Sequence, residues 1–176
     1  PSAKSTQLDK GDLEQRLRAT GARLGMSGSD IQLAESILFG GEATDRNPLA
    51  LSPKGAVGLM QVMPETAKKY GFSVGDLRNP DKNIEAGLMY IKDLSRQYPG
   101  RPDLVAAAYN AGPGAVQQAG NTVPNIPETQ GHVGRTMQYM QRLQQGAQAR
   151  PGAPSTPYSL TDVEAAIARK ERASAR

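Results

Sequence analysis

Gly58-Leu59-Met60-Gln61-Val62-Met63-Pro64-Glu65-Thr66-Ala67 joins an unpatterned loop to a helix, and the architecture follows from its two sides. Pro64 suits a first helical turn, so a helix is predicted from there to about Tyr70. Upstream, residues 43–63 hold Pro48, Pro53, Gly55 and Gly58 and show no helical period. They read as loop, with a short two- or three-stranded sheet expected around Leu49–Leu51 and Val57–Val62. Before them, Ser29-Asp30 looks like an N-cap, and Ile31, Ala34, Ile37 and Leu38 follow at helical spacing. Gly40-Gly41 weakens that helix near its end. Asp12 to about Leu24 has the composition of a polar, solvated helix.

Downstream, Asn79-Pro80 opens a helix whose inner face is Ile84, Leu88, Ile91 and Leu94. Asp103 to Tyr109 is short, alanine-rich and predicted to be buried. Gly112-Pro113-Gly114 is a break, and residues 120–131 read as loop. Val133, Met137 and Met140 mark a last core helix. The expected organisation is a polar N-terminal flanking helix at 1–29, one core domain at 30–145, a Pro/Gly/Ala linker at 146–158 and a charged C-terminal helix at 159–176.

Composition narrows the chemistry. The 176 residues contain no cysteine, no tryptophan and one histidine, His132. Disulfide scaffolds, thiolate metal sites and cysteine nucleophiles are excluded, and no metal-ligand spacing is present. Residues 31–141 hold ten basic and ten acidic residues, so the net charge of +4 belongs to the flanks. Those flanks lack interleaved aromatic residues, which argues against nucleic-acid recognition. Gly112-Pro113-Gly114 lacks the strand, lysine and length of a phosphate loop, so no nucleotide cofactor is expected. No apolar run reaches the length of a membrane span. The chain starts Pro1-Ser2-Ala3 with no secretory signal or initiator methionine, and is expected to be a processed protein or a piece of a longer one.

Three ordered stretches resemble signatures of the soluble lytic transglycosylases, the SLT-domain relatives of goose-type lysozyme. They are Gly41-Glu42-Ala43 with the Asn47-Pro48…Ala50-Leu51-Ser52 string, then Gly58-Leu59-Met60-Gln61-Val62-Met63-Pro64, then Ala108-Tyr109-Asn110-Ala111-Gly112. Pro127-Glu128-Thr129 is a fourth, weaker match. The resemblance covers roughly residues 30–145. It implies a mainly α, lysozyme-like fold with a minimal β element, and peptidoglycan glycan strands as substrate. It further implies cleavage between N-acetylmuramic acid and N-acetylglucosamine, with the muramic C6 hydroxyl closing a 1,6-anhydro ring. No cofactor is implied.

A glycosidase normally uses two carboxyl groups. When the substrate brings its own nucleophile, one carboxyl can act as acid and then as base. Glu35, Asp45, Glu65 and Glu128 are other carboxylates of the middle region. Glu35-Ser36 is a literal Glu-Ser pair of the family kind, whereas Glu42 precedes Ala43. The interval to Gly58 favours Glu42 as the catalytic residue. A carboxyl at a helix end meets the negative end of the dipole, which raises its pKa as a general acid requires.

By the same resemblance, Ser52, Gln61, Met63, Tyr109, Asn110 and His132 are expected to contact substrate. The family usually has tyrosine where His132 stands. Read without the resemblance, Ser52 before proline is turn chemistry and Tyr109 is a core tyrosine. Two rivals remain: a lysozyme-type hydrolase, and an inactive cell-wall-binding module. The expected place of action is the bacterial periplasm or cell wall. Flanking helices on a compact core would suit a domain of a larger envelope-penetrating assembly, such as a phage virion protein or a secretion-system component, and a periplasmic enzyme stripped of its signal fits too.

Overall fold

The computed structural model describes residues 7–41 and 46–148. Seven α-helices order them: α1 (Lys10–Arg23), α2 (Gly28–Ser36), α3 (Pro64–Lys69), α4 (Pro80–Gln97), α5 (Pro102–Ala111), α6 (Pro113–Gln118) and α7 (Pro127–Gln148). A π-turn, Ile37–Gly41, continues α2, and a 3-10 turn, Asp76–Arg78, precedes α4. The fold is mainly α with a minimal β element. The expected linker and C-terminal helix lie outside the described residues from 149 onward, and α7 itself runs three residues past 145.

α5 is the central element. Leu104 to Ala108 are all buried, so the helix is apolar on every side, as a core helix must be. Its alanines let α4, α6 and α7 approach closely. α4 lays down Ile84, Leu88, Ile91 and Leu94, the predicted inner face. Its start is fixed by Asn79, whose side chain accepts from the backbone N–H groups of Asp81 and Lys82.

Four local readings change, the first being that α7 begins at Pro127, inside the stretch 120–131 read as loop. α1 is not a solvated helix: Leu13 and Leu17 are fully buried, and Gly21 sits against Ile31. Those residues recur every fourth position, a stripe too narrow to lift the polar average of the helix. Ser27, not Ser29, caps α2, because its Oγ accepts from the N–H of Asp30 at 3.1 Å. The break at residues 112–114 opens α6, a short helix the sequence reading missed.

The expected sheet reduces to two isolated antiparallel bridges, Leu51–Val57 and Val57–Val62. Gly58 at φ 77° and Gln61 at φ 47° turn the chain back at once, leaving no length for a ladder.

Candidate active site

The loop before α3 is held by one buried side chain. Asn83 of α4, 1% exposed, accepts from the Met60 N–H at 2.8 Å and donates to the carbonyls of Val57 and Leu77 at 2.8 and 2.9 Å. A Cβ at position 58 would fall 2.3 Å from the Asn83 amide nitrogen. Glycine is therefore required there for space as well as for φ. Gly87 similarly admits Met60 against α4.

α5 approaches the same loop from the other side. Tyr109 Oη donates to the Met60 carbonyl at 2.7 Å, and its ring packs on Tyr90 with centroids 5.4 Å apart. Between loop and helix end lies a cavity of about 440 Å³. Gln61 and Met63 line it from the loop, Tyr109 and Asn110 from α5, and Lys54 and Glu128 from the rim. Met63 and Ile126 keep 41% of their surface exposed on its walls, apolar surface of the kind that marks a ligand groove.

The polar groups of the wall are interlinked. The Thr129 hydroxyl donates to Asn110 Oδ1 at 2.8 Å. Lys54 Nζ reaches Glu128 at 2.6 Å, tying the loop to the start of α7. That ammonium, with help from the Asn110 side chain, holds the Glu128 carboxyl below its ordinary pKa. Both partners are exposed, so the pair adds little stability. Gln61 Nε2 donates to the Gly58 carbonyl at 2.8 Å, so this amide also braces its own turn.

Gln61, Met63, Tyr109 and Asn110 thus share one cavity. Ser52 does not line it: its Oγ accepts from the Ala56 N–H at 2.9 Å and closes a turn. His132 is not on the wall either. It is 1% exposed and lies beneath the π-turn, where a Cβ on Gly41 would meet its Cε1 at 2.5 Å and the Thr136 hydroxyl at 2.6 Å. Burial, and then the nearby Arg135 guanidinium, push the His132 pKa down to about 4, so the ring is neutral near neutral pH. A histidine on a helix carries no local sign of which face will be covered.

Glu42, the expected acid, lies outside the described residues; the backbone up to Gly41 is described. Glu35 is placed away from the cavity. It is 2% exposed and paired in bidentate fashion with Arg18 of α1, at 2.8 to 3.0 Å. Burial raises its pKa, and Arg18 opposes the shift. Asn83, Tyr90, Lys54 and Thr129 were not anticipated. For Asn83 there was a signal, a polar residue directly beside the apolar face of α4. Among the described residues no cluster of His, Asp and Glu is arranged to hold a metal, and no helix is long and apolar enough to cross a membrane.

Residues 45–130 match the family model of the transglycosylase SLT domain. The chain is 35% identical over 133 residues to the soluble lytic murein transglycosylase of Escherichia coli K12, covering 64% of this chain and 21% of that protein. It thus spans about a fifth of the length of the curated relatives it first matches. Its fold is similar to an inactive glutamate-to-glutamine mutant of the lytic transglycosylase Slt from Pseudomonas aeruginosa. There the TM-score is 0.63 and the identity 29%, over 82% of this chain and 25% of that one. The 70 kDa soluble lytic transglycosylase of Escherichia coli gives a TM-score of 0.59 at 31% identity, over 74% of this chain and 24% of that one. The lysozyme-like fold read from the sequence agrees with these likenesses.

Proposed function

We propose that this chain, whose residues 45–130 match the family model of the transglycosylase SLT domain, is a peptidoglycan lytic transglycosylase of the bacterial cell wall. It cleaves the β-1,4 bond between N-acetylmuramic acid and N-acetylglucosamine and leaves a 1,6-anhydro sugar. Glu42 protonates the leaving oxygen. The same carboxylate then takes the proton of the muramic C6 hydroxyl as that oxygen closes on C1. The proton count balances, and no water or second carboxyl is consumed.

The observation that carries this reading is the meeting of the Gly58–Met63 loop and the end of α5 on one cavity. Met63 and Ile126 offer apolar surface to sugar faces. Asn110 offers an amide, and Tyr109 fixes the loop that holds Gln61. Loss of activity on replacing a glutamate by glutamine in the Pseudomonas aeruginosa relative supports a glutamate as catalyst here. The proposal takes residues 30–145 as the catalytic unit, with α1 packed onto it. Ser52 and His132 serve it as supports beside the groove. The basic flanks suit attachment to neighbouring domains of an envelope-penetrating assembly.

Mass spectrometry of products from purified sacculi tests the reading. Wild type and Glu35→Gln are expected to release anhydro-muropeptides, and Glu42→Gln to release none. Products with reducing ends would make the enzyme a hydrolase. Binding without release would make it an inactive wall-binding module.

A further inference from the structure

We propose that Arg135 is a positioning residue for the catalytic carboxyl. The inference rests on the reading of Glu42 as acid and base. The Gly41 carbonyl is half of the peptide unit that joins Gly41 to Glu42. Arg135 Nη2 donates to that carbonyl at 3.2 Å from α7. A carbonyl at the end of a helix has no partner within the helix, and an arginine is well suited to supply one. Here the bond also fixes the Gly41 carbonyl, the last described group before Glu42.

The neighbours of this contact make it a clamp. His132, Arg135 and Thr136 fall on one face of α7, three and four residues apart. Two of them, His132 and Thr136, occupy the space where a Gly41 side chain would stand. At Gly40 a Cβ would fall 2.8 Å from the Arg135 carbonyl and from Tyr139 Cβ. The double glycine therefore lets the π-turn lie directly on the α7 backbone. His132 and Thr136 block movement toward α7, and Arg135 ties the carbonyl in place. π-turns of this kind concentrate at functional sites.

Arg135 reaches Gly41 from a largely exposed position on α7, so replacing it should leave the fold intact. A simple helix-end contact would affect stability alone, whereas a positioning residue affects turnover. The test uses the full chain on soluble glycan strands, assayed well below the lowest melting temperature. For Arg135→Met, kcat for anhydro-product release is expected to fall about tenfold or more, because small misplacements of a catalytic group are costly. KM should stay within about twofold of wild type, since ground-state binding is untouched. Arg135→Lys, which keeps a cation and donor, should regain a large part of the loss.

A fall in kcat of less than about threefold in Arg135→Met overturns the proposal. So does a rise in KM at constant kcat, which would make Arg135 a substrate contact. An Arg135→Lys variant as slow as Arg135→Met also overturns it. An active Glu42→Gln control would instead sink the assignment of the acid, and with it the premise, whatever Arg135→Met does.

Discussion

His132 is the residue whose surroundings make the clearest prediction. Its folded-state pKa of about 4 lies below the ordinary value of 6.5, because the neutral ring is buried near Arg135. Glu128 and the Gly41 backbone pull the other way without reversing the shift. The unfolded chain therefore binds the proton first as pH falls. The contribution is intact above about pH 6.5 and is lost progressively down to about pH 4, amounting to about 3 kcal/mol. Urea unfolding of wild type and His132→Phe across that range should show a steeper loss in wild type. Parallel slopes would mean that another group carries the acid sensitivity.

The legibility of the site also varies residue by residue. Gln61, Met63, Tyr109 and Asn110 sit in short motifs whose glycines and helix ends fix their direction locally, and they share one cavity. Ser52 and His132 do not share it, the first for a local reason and the second for a distant one. Ser52 is taken up by its own turn, and His132 is covered by a segment some 90 residues earlier in the chain. Arg135 had no signal at all, since its role is defined by a backbone carbonyl that sequence pattern does not reveal.

At the scale of elements, Asn83 and the Arg18–Glu35 pair join parts that sequence reading treated separately. Asn83→Ala removes three buried hydrogen bonds, two to the loop at Val57–Met60 and one to the Leu77 carbonyl, and should cost about 3 kcal/mol or more. A denaturant midpoint unchanged by this substitution would show that the loop is held elsewhere. The ion pair fastens α1 to α2 at a site where Glu35 is nearly inaccessible. Arg18→Met leaves that carboxylate without its main partner and should cost about 3 kcal/mol. Replacing both residues by methionine should recover much of the loss. Equal destabilisation in the single and double variants would refute a charge-desolvation origin. Helix positions were broadly legible, since Ile84, Leu88, Ile91 and Leu94 repeat with the period of one face. The sheet was overestimated because two turn residues with positive φ cut it to bridges.

For the whole molecule, α1 decides how much chain the fold requires. Leu13 and Leu17 contribute to the common hydrophobic core although their helix is otherwise polar. Losing two buried leucines forfeits about 4–10 kcal/mol, comparable with the entire stability of a small domain. A chain beginning at Ser27 should therefore lose its cooperative thermal transition, or melt at least about 15 °C lower. An unchanged melting temperature would restore the view of α1 as a dispensable flank. Counting charges could not settle this, because burial of two side chains hardly alters a regional average.

The seat of Gly40 and Gly41 on α7 bears on when, as well as where, activity can arise. Gly41 and Arg135 stand 94 positions apart. As the ribosome works from the N-terminus, the segment leading into Glu42 is synthesised long before the helix that steadies it. On the proposed function, a growing chain halted before α7 has emerged should be unable to cut glycan, even with the motifs at residues 58–64 and 108–112 already made. If the proposed activity holds, the chain would thus be inert until α7 has docked, and stalled or truncated products would pose no threat to the wall.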